Sequence, residues 1–303
     1  MKSQYSYQGA LETSERVSWR IEDIIGGEKR LDFTKPFMPE SLAQVSGLGF
    51  LSAEEKRVLN QIRGHEYLAM FGLVEEFILP FAVDHARDRL SGDDYRVRAL
   101  LQFAGEEAKH IHLFKRFRQE FEAGFGSKCE FIGPAEEVKK FVLSHSPLGV
   151  GIAILHIEWI TLRHYLEGVR DNQDLDPQFK SLLKHHWLEE SQHTKLDTLI
   201  VEELASTASE EEIDRAFEEY GKIGAFIDQG IGQQAALDTE AFIAATGRNL
   251  SGSERQEMTD AVNKGMRWTY LGTGMTHPNF LSTVQQLKPQ ARAQIEAMAP
   301  AFC

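Results

Sequence analysis

Two short motifs in this sequence have the residue types and the spacing of a metal site. Each is a glutamate followed three residues later by a histidine: Glu107 with His110, and Glu190 with His193. In an α-helix this spacing places both side chains on one face, where they can bind the same ion. A single motif of this kind arises easily by chance, but two of them in separate long helical segments favour a shared metal site.

If four helices surround such a site, the two helices without the motif must each supply a carboxylate. The third helical segment offers Glu158, which stands in an otherwise apolar stretch. A carboxylate there needs a partner, because burying an unpaired charge is costly. The first helical segment offers two adjacent candidates, Glu75 and Glu76.

Helical phase separates these two candidates. We take the polar side of the first helix to be marked by Arg63, Glu66, Asp84 and Asp88. At about 100° per residue Glu75 then lies roughly opposite that side, and Glu76 lies on a flank. We therefore expect Glu75 to face the site, with Glu76 as the alternative.

The spacing of apolar residues predicts an all-α protein built on a four-helix bundle. Ser52, with Glu55 three residues later, predicts a capping box at the start of the first long helix, which contains Pro80. The predicted organisation is a loose N-terminal extension over 1–50, the bundle over 51–205, and a helical extension packed on it over 206–303. Within that last part we predict helices at 209–247, 252–268 and 279–298.

Composition excludes several classes of protein. The chain has 303 residues, of which 42% are hydrophobic and 26% charged, as in ordinary globular proteins. Its net charge of −13 gives no general attraction to nucleic acid or anionic lipid, so neither is an expected partner. Two cysteines, Cys129 and Cys303, cannot form a disulfide framework. We see no signal peptide or membrane span and expect a cytoplasmic protein.

The order Glu, Glu-x-x-His, Glu, Glu-x-x-His over about 53–205 resembles the ferritin-like di-iron carboxylate superfamily. The resemblance implies two iron ions, with manganese as an alternative, held by Glu75, Glu107, His110, Glu158, Glu190 and His193. It also implies that Glu106 and Glu189 hydrogen-bond to the ligand histidines. Lys109 and Gln192 stand where the family often has arginine, so we expect a different outer layer of salt bridges.

Two further residues, His186 and Thr161, indicate which members of this superfamily the sequence resembles most. His186 lies four residues before Glu190 on the same helix face, and His-x-x-x-Glu-x-x-His is similar to the aminoarene N-oxygenase branch. That branch implies His186 as an additional ligand; the alternatives are a surface or capping residue, or a donor to a ligand. Thr161 matches a threonine that recurs one turn after the third glutamate in di-iron oxygenases.

The resemblance implies an enzyme that activates dioxygen and oxidises a small organic substrate, by N-oxygenation or at a C–H bond. Electrons are expected from an external donor, because the sequence has no flavin, nicotinamide or iron–sulfur motif. One alternative is a ferroxidase, iron-handling or peroxide-scavenging protein. Another is a metal-dependent hydrolase or a metal-stabilised bundle. The oligomeric state stays open, a homodimer included.

Overall fold

The computed structural model describes residues 4–87 and 90–302, so Asp88 and Cys303 lie outside the described residues. Within the described ranges the chain is helical and has no β-strand. The helices are α1 (Tyr7–Val17), α2 (Glu40–Ala43), α3 (Ala53–Arg87), α4 (Asp94–Phe125), α5 (Ala135–Leu143), α6 (Pro147–Arg163), α7 (Pro177–Thr207), α8 (Glu210–Thr246), α9 (Gly252–Arg267), α10 (Thr273–Met275), α11 (Pro278–Leu287) and α12 (Pro289–Met298).

The long helices α3, α4, α6 and α7 form the bundle, which confirms the predicted all-α architecture. Their start points follow from local signals. Ser52 and Glu55 form the predicted capping box before α3, with the Glu55 amide 3.2 Å from the Ser52 hydroxyl. Side chains of Asp93 and Asp176 cap α4 and α7 by accepting hydrogen bonds from backbone amides of the first turn.

The N-terminal extension is more ordered than the loose segment expected for it. Helix α1 packs against α4 and α7 and buries Ala10, Leu11 and Ser14. The stretch that follows buries Trp19, and Phe37 is fully buried further along. Its apolar residues are scattered between loops rather than periodic, so helical periodicity did not reveal that they belong to the core.

The C-terminal extension packs along the bundle. Helix α8 lies against α3 and α6, and α9 packs on α8. The helix predicted at 279–298 is two helices, because Lys288 has an extended backbone (φ −157°) before Pro289. Proline disfavours the helical conformation of the residue before it, and this separates α11 from α12.

Two buried histidines, one in α6 and one directly after it, join the bundle to this extension. His156 Nε2 donates to the Tyr270 carbonyl at 3.1 Å, and His164 Nε2 donates to the Thr269 carbonyl at 3.1 Å. A Cβ at Gly274 would lie 2.2 Å from the His156 ring, so the close approach requires glycine there. The extension is therefore fixed to the bundle by hydrogen bonds as well as by apolar packing.

No helix in the described ranges combines the length and the apolar character that crossing a bilayer requires.

We predict that His164 makes stability depend on pH. Burial lowers its pKa from 6.5 to about 3. The unfolded chain therefore binds a proton that the native chain does not, so this contribution to stability is complete above pH 6.5 and is lost as the pH falls towards 3. Between pH 7 and pH 5 the free energy of unfolding should fall by about 2 kcal/mol more in the parent than in His164→Gln. Urea denaturation at both pH values measures this, and equal losses in the two proteins would contradict it.

Candidate metal centre

Seven glutamates and histidines from the four bundle helices meet in the core. They are Glu75 from α3, Glu107 and His110 from α4, Glu158 from α6, and His186, Glu190 and His193 from α7. None is more than 2% exposed. Ligand atoms of six of them form two overlapping groups in which all atoms lie within 4.8 Å of one another: Glu75, His110, His186 and Glu190, and Glu107, His110, Glu190 and His193.

Glu190 lies at the centre of this cluster. Its Oε1 is 3.0 Å from His110 Nδ1 and 2.9 Å from His186 Nε2, and its Oε2 is 3.3 Å from His193 Nδ1. The two oxygens of one carboxylate thus face the two groups. A carboxylate in this position can bridge two ions.

The other carboxylates divide between the two sides. Glu75 Oε1 is 3.0 Å from His186 Nε2, whereas Glu107 Oε1 is 2.8 Å from His193 Nδ1. Glu158 belongs to neither group of four and lies against Glu190. These positions give each side of the cluster its own glutamate.

The structure also separates the two glutamates left open on the first helix. It places Glu75 in the cluster and Glu76 outside it, 3.7 Å from the Lys115 ammonium. The assumption behind the phase argument was nevertheless wrong in part. Arg63 and Glu66, taken as marking the polar side, are 1% and 0% exposed and form a buried ion pair with each other.

A carboxylate hydrogen-bonds the outer nitrogen of each motif histidine, and the two bonds run crosswise between α4 and α7. His110 Nε2 donates to Glu189 at 2.8 Å, and His193 Nε2 donates to Glu106 at 2.9 Å. Each bond places the ring proton on Nε2 and points Nδ1 into the cluster. The sequence singled out both glutamates for this role.

The groups that bond Glu189 differ from those that bond Glu106. Glu189 forms an ion pair with Lys109, while Glu106 accepts hydrogen bonds from the Ser14 hydroxyl and from Gln102 at 2.9 Å. The side-chain oxygen of Gln192 accepts a hydrogen bond from the Lys195 ammonium. Sequence reasoning missed Ser14, because it lies 92 residues from its partner and belongs to no motif.

Aromatic rings enclose the histidines. Trp19 stacks on His110 with ring centroids 5.9 Å apart, and Phe103 lies 4.2 Å from the His193 ring. Phe114 packs edge-on against His186 at 5.1 Å. These rings keep water away and lower the local dielectric constant, which strengthens the electrostatic interactions inside. Trp19, like Ser14, had no signal in the local sequence.

Thr161 lies one helical turn after Glu158 and bonds the backbone of its own helix. Its hydroxyl is buried and donates to the main-chain carbonyl of Glu158 at 2.7 Å. It therefore bonds the backbone of its own helix, and the described residues show no bond from it to a cluster carboxylate.

Burial and mutual charge shift the pKa values in the cluster strongly. Burial alone lowers the pKa of His110 and His193, but the carboxylates beside them outweigh it and raise both well above the ordinary value. Burial, together with the charge of Glu190, raises the pKa of Glu158 well above its usual range. Glu190 itself has a pKa well below the usual range, because His186 and His193 outweigh its burial.

The donor set fits bound cations. Seven carboxylates are buried here: Glu75, Glu106, Glu107, Glu158, Glu189, Glu190 and Asp197. In the described ranges Lys109 is the only lysine or arginine that bonds any of them. Several inward atoms lack a hydrogen-bond partner, including both Glu107 oxygens and Nδ1 of His110 and His193. Carboxylate oxygens with imidazole nitrogens are ligands that suit iron and manganese.

An apolar cavity of about 350 Å³ lies beside the cluster, between α3, α6 and α8. Phe71 in its wall packs on the His186 ring at 5.8 Å, and Val74 directly precedes Glu75. Glu137 is the only charged residue in the described wall. A larger, more polar cleft of about 780 Å³ includes Glu76 and Lys115, and no cluster residue is among the described lining of either space.

Comparison with protein-family models gives no matching family, and a search of curated proteins gives no match. Among solved structures the chain is similar to point mutants of an R2-like ligand-binding oxidase. One with an aerobically reconstituted Mn/Fe cofactor is 15% identical with a TM-score of 0.46, covering 87% of this chain and 93% of that one. Another with an Fe/Fe cofactor is 16% identical with a TM-score of 0.44, covering 88% and 93%.

We predict that Glu75→Gln weakens the binding of one ion by at least about tenfold, because the amide removes a charged ligand. Glu76→Gln is the matched control: it changes the adjacent residue in the same way but should bind metal as the parent does. Anaerobic calorimetric titration with Fe(II) measures both. Equal affinities in the parent and Glu75→Gln would show that Glu75 is not a ligand.

His186 and His185 offer a second matched pair. His186→Ala should weaken the ion on the Glu75 side by at least about tenfold, since it removes an imidazole 3.0 Å from Glu75. His185→Ala should leave binding unchanged, because His185 Nδ1 bonds the Ser181 carbonyl at 2.7 Å. Electron paramagnetic resonance of bound Mn(II) reports the coordination. A spectrum of His186→Ala identical to that of the parent would exclude His186 as a ligand.

Proposed function

We propose that this protein is a dimetal oxidase that uses dioxygen to oxidise a small, uncharged organic substrate. The observation that carries the proposal is the pair of buried four-residue groups that share Glu190, next to an apolar cavity. Buried carboxylates and histidines without a cation make a poor structural device, because their desolvation is not repaid. Metal ions remove that penalty and give the cluster a function.

The residues divide between two metal positions. Glu75, His110 and His186 would hold one ion together with one oxygen of Glu190. Glu107, Glu158 and His193 would hold the other together with the second oxygen. Iron, or iron with manganese, fits this donor set. Bound there, the metal would supply the electron transfer to dioxygen that protein side chains cannot.

The chain itself would contribute orientation and a dry site. Glu189 and Glu106 hold the His110 and His193 rings with Nδ1 inward. The aromatic shell excludes water, which protects reactive species from side reactions. The cavity would then place the substrate on the side of the cluster where His186 lies. Phe71 lines the cavity and packs on the His186 ring, so it connects the two.

The cavity wall indicates the class of substrate. It has no cation in the described residues, so nothing there would neutralise a carboxylate or phosphate. An apolar molecule with an oxidisable C–H bond, or a neutral arylamine, fits better. Putting one oxygen atom of dioxygen into such a substrate leaves the other to become water, which takes two electrons and two protons. A separate donor protein or reductant would supply these electrons in steady turnover.

A single-turnover experiment with para-ethylaniline tests the function, because this probe offers both an amine and a benzylic C–H bond. Protein loaded anaerobically with two equivalents of Fe(II) holds the two electrons needed. On exposure to isotopically heavy dioxygen we expect up to about one oxygenated product per chain, detected by mass spectrometry. The position of the heavy oxygen distinguishes N-oxygenation from C–H oxidation.

Two variants serve as controls. Glu107→Ala should give no product, since it removes a ligand, whereas Ile227→Trp should retain metal but fill the cavity and abolish oxidation of the probe. Oxidation of many iron ions per chain without oxygen in any organic product would contradict the proposal and favour iron handling. Purification with zinc, and no reaction with dioxygen after iron loading, would favour a hydrolase or structural site.

A further inference from the structure

Asp197 is a buried carboxylate that neither glutamate–histidine motif includes. It lies four residues after His193 and seven after Glu190, so all three share one face of α7. It is 0% exposed. Neither of its carboxylate oxygens has a hydrogen-bond partner in the part of the chain that the structure describes.

The charged groups around Asp197 are those of the metal cluster. Glu190 and His193 act on it from its own helix, and Glu158 does so from α6, the helix packed against it. No lysine or arginine is among the described groups that act on it. An aspartate in this position is costly unless a cation compensates it.

Other buried carboxylates of the core have such compensation in the protein itself. Glu189 has Lys109 and His110, and Glu106 has Ser14, Gln102 and His193. Asp197 has no equivalent partner, although it lies only about 6 Å along the helix axis from His193. Among the described groups that act on Asp197 only His193 brings positive charge, so an ion on the Glu158–His193 side would add the compensation that the protein itself does not supply.

We propose that Asp197 is a further carboxylate of the metal centre, which helps to hold the ion on the Glu158–His193 side. This inference rests on the proposed dimetal site. Asp197 is outside the two groups of close ligand atoms, so its effect on the ion is that of a charge behind the ligands. It adds a carboxylate beside the group that contains Glu107 and His193, next to Glu158.

The test compares Asp197→Asn with the parent by anaerobic calorimetric titration with Fe(II), and separately with Mn(II). Asparagine keeps the size and removes the charge. We expect two bound ions in the parent and a loss of about 10- to 100-fold in the affinity for one of them in Asp197→Asn. Asp238→Asn is the matched control: Asp238 is also buried and has an unpartnered oxygen, but it lies beside Arg63, so both affinities should stay unchanged.

Asp197→Leu provides a second readout through thermal unfolding. Without metal it should unfold at a higher temperature than the parent, because it removes an uncompensated buried carboxylate, and added Fe(II) should stabilise it less than it stabilises the parent. If both variants bind two ions with parental affinity, or gain the parental stabilisation from Fe(II), Asp197 has no part in the metal centre. If the parent itself binds no metal, the proposed function fails instead.

Discussion

The structure depends on positive charge that compensates the many carboxylates buried in its helical core. Six glutamates and one aspartate are buried around three histidines, and one lysine reaches them from the edge. Burying an isolated carboxylate costs far more than a single packing contact returns. The carboxylates around His110 and His193 outweigh burial and raise the pKa of both histidines well above the ordinary value, so the cluster favours positive charge at these positions. Bound cations would replace protons there, so metal affinity and the protonation of the cluster are two aspects of one balance.

The segments outside the bundle complete the environment that this charge needs. The N-terminal extension brings Ser14 to Glu106 and Trp19 to His110. On the opposite side α8 closes the apolar cavity, and the hydrogen bonds from His156 and His164 hold the C-terminal segment in place. Four bare helices would leave the cluster open to water. The two extensions therefore determine which molecules can approach it.

Local sequence predicted the bundle and most of the cluster, because the relevant patterns are short. A spacing of three residues places Glu107 with His110, and Glu190 with His193, whatever the rest of the chain does. What it could not predict depends on contacts between distant segments. Arg63 and Glu66 look like surface residues until α8 covers them, and Ser14 finds Glu106 only after α1 docks on the bundle. Asp197 follows the same rule: its sequence context is ordinary, and only burial shows that it lacks a partner.

The two proposed metal positions differ in their carboxylates and in the groups behind them. The first side presents two imidazoles with Glu75, and Lys109 contributes a positive charge through Glu189. The second presents His193 with Glu107 and the adjacent Glu158, His110 belongs to both groups, and neutral groups support Glu106. The second side has more carboxylates, and no lysine among the described residues reaches it. It is therefore the more negatively charged side and the richer in hard oxygen donors. Such oxygen-rich sets suit manganese as well as iron, whereas imidazole suits iron. A mixed-metal centre would therefore be as compatible with this donor set as a di-iron one.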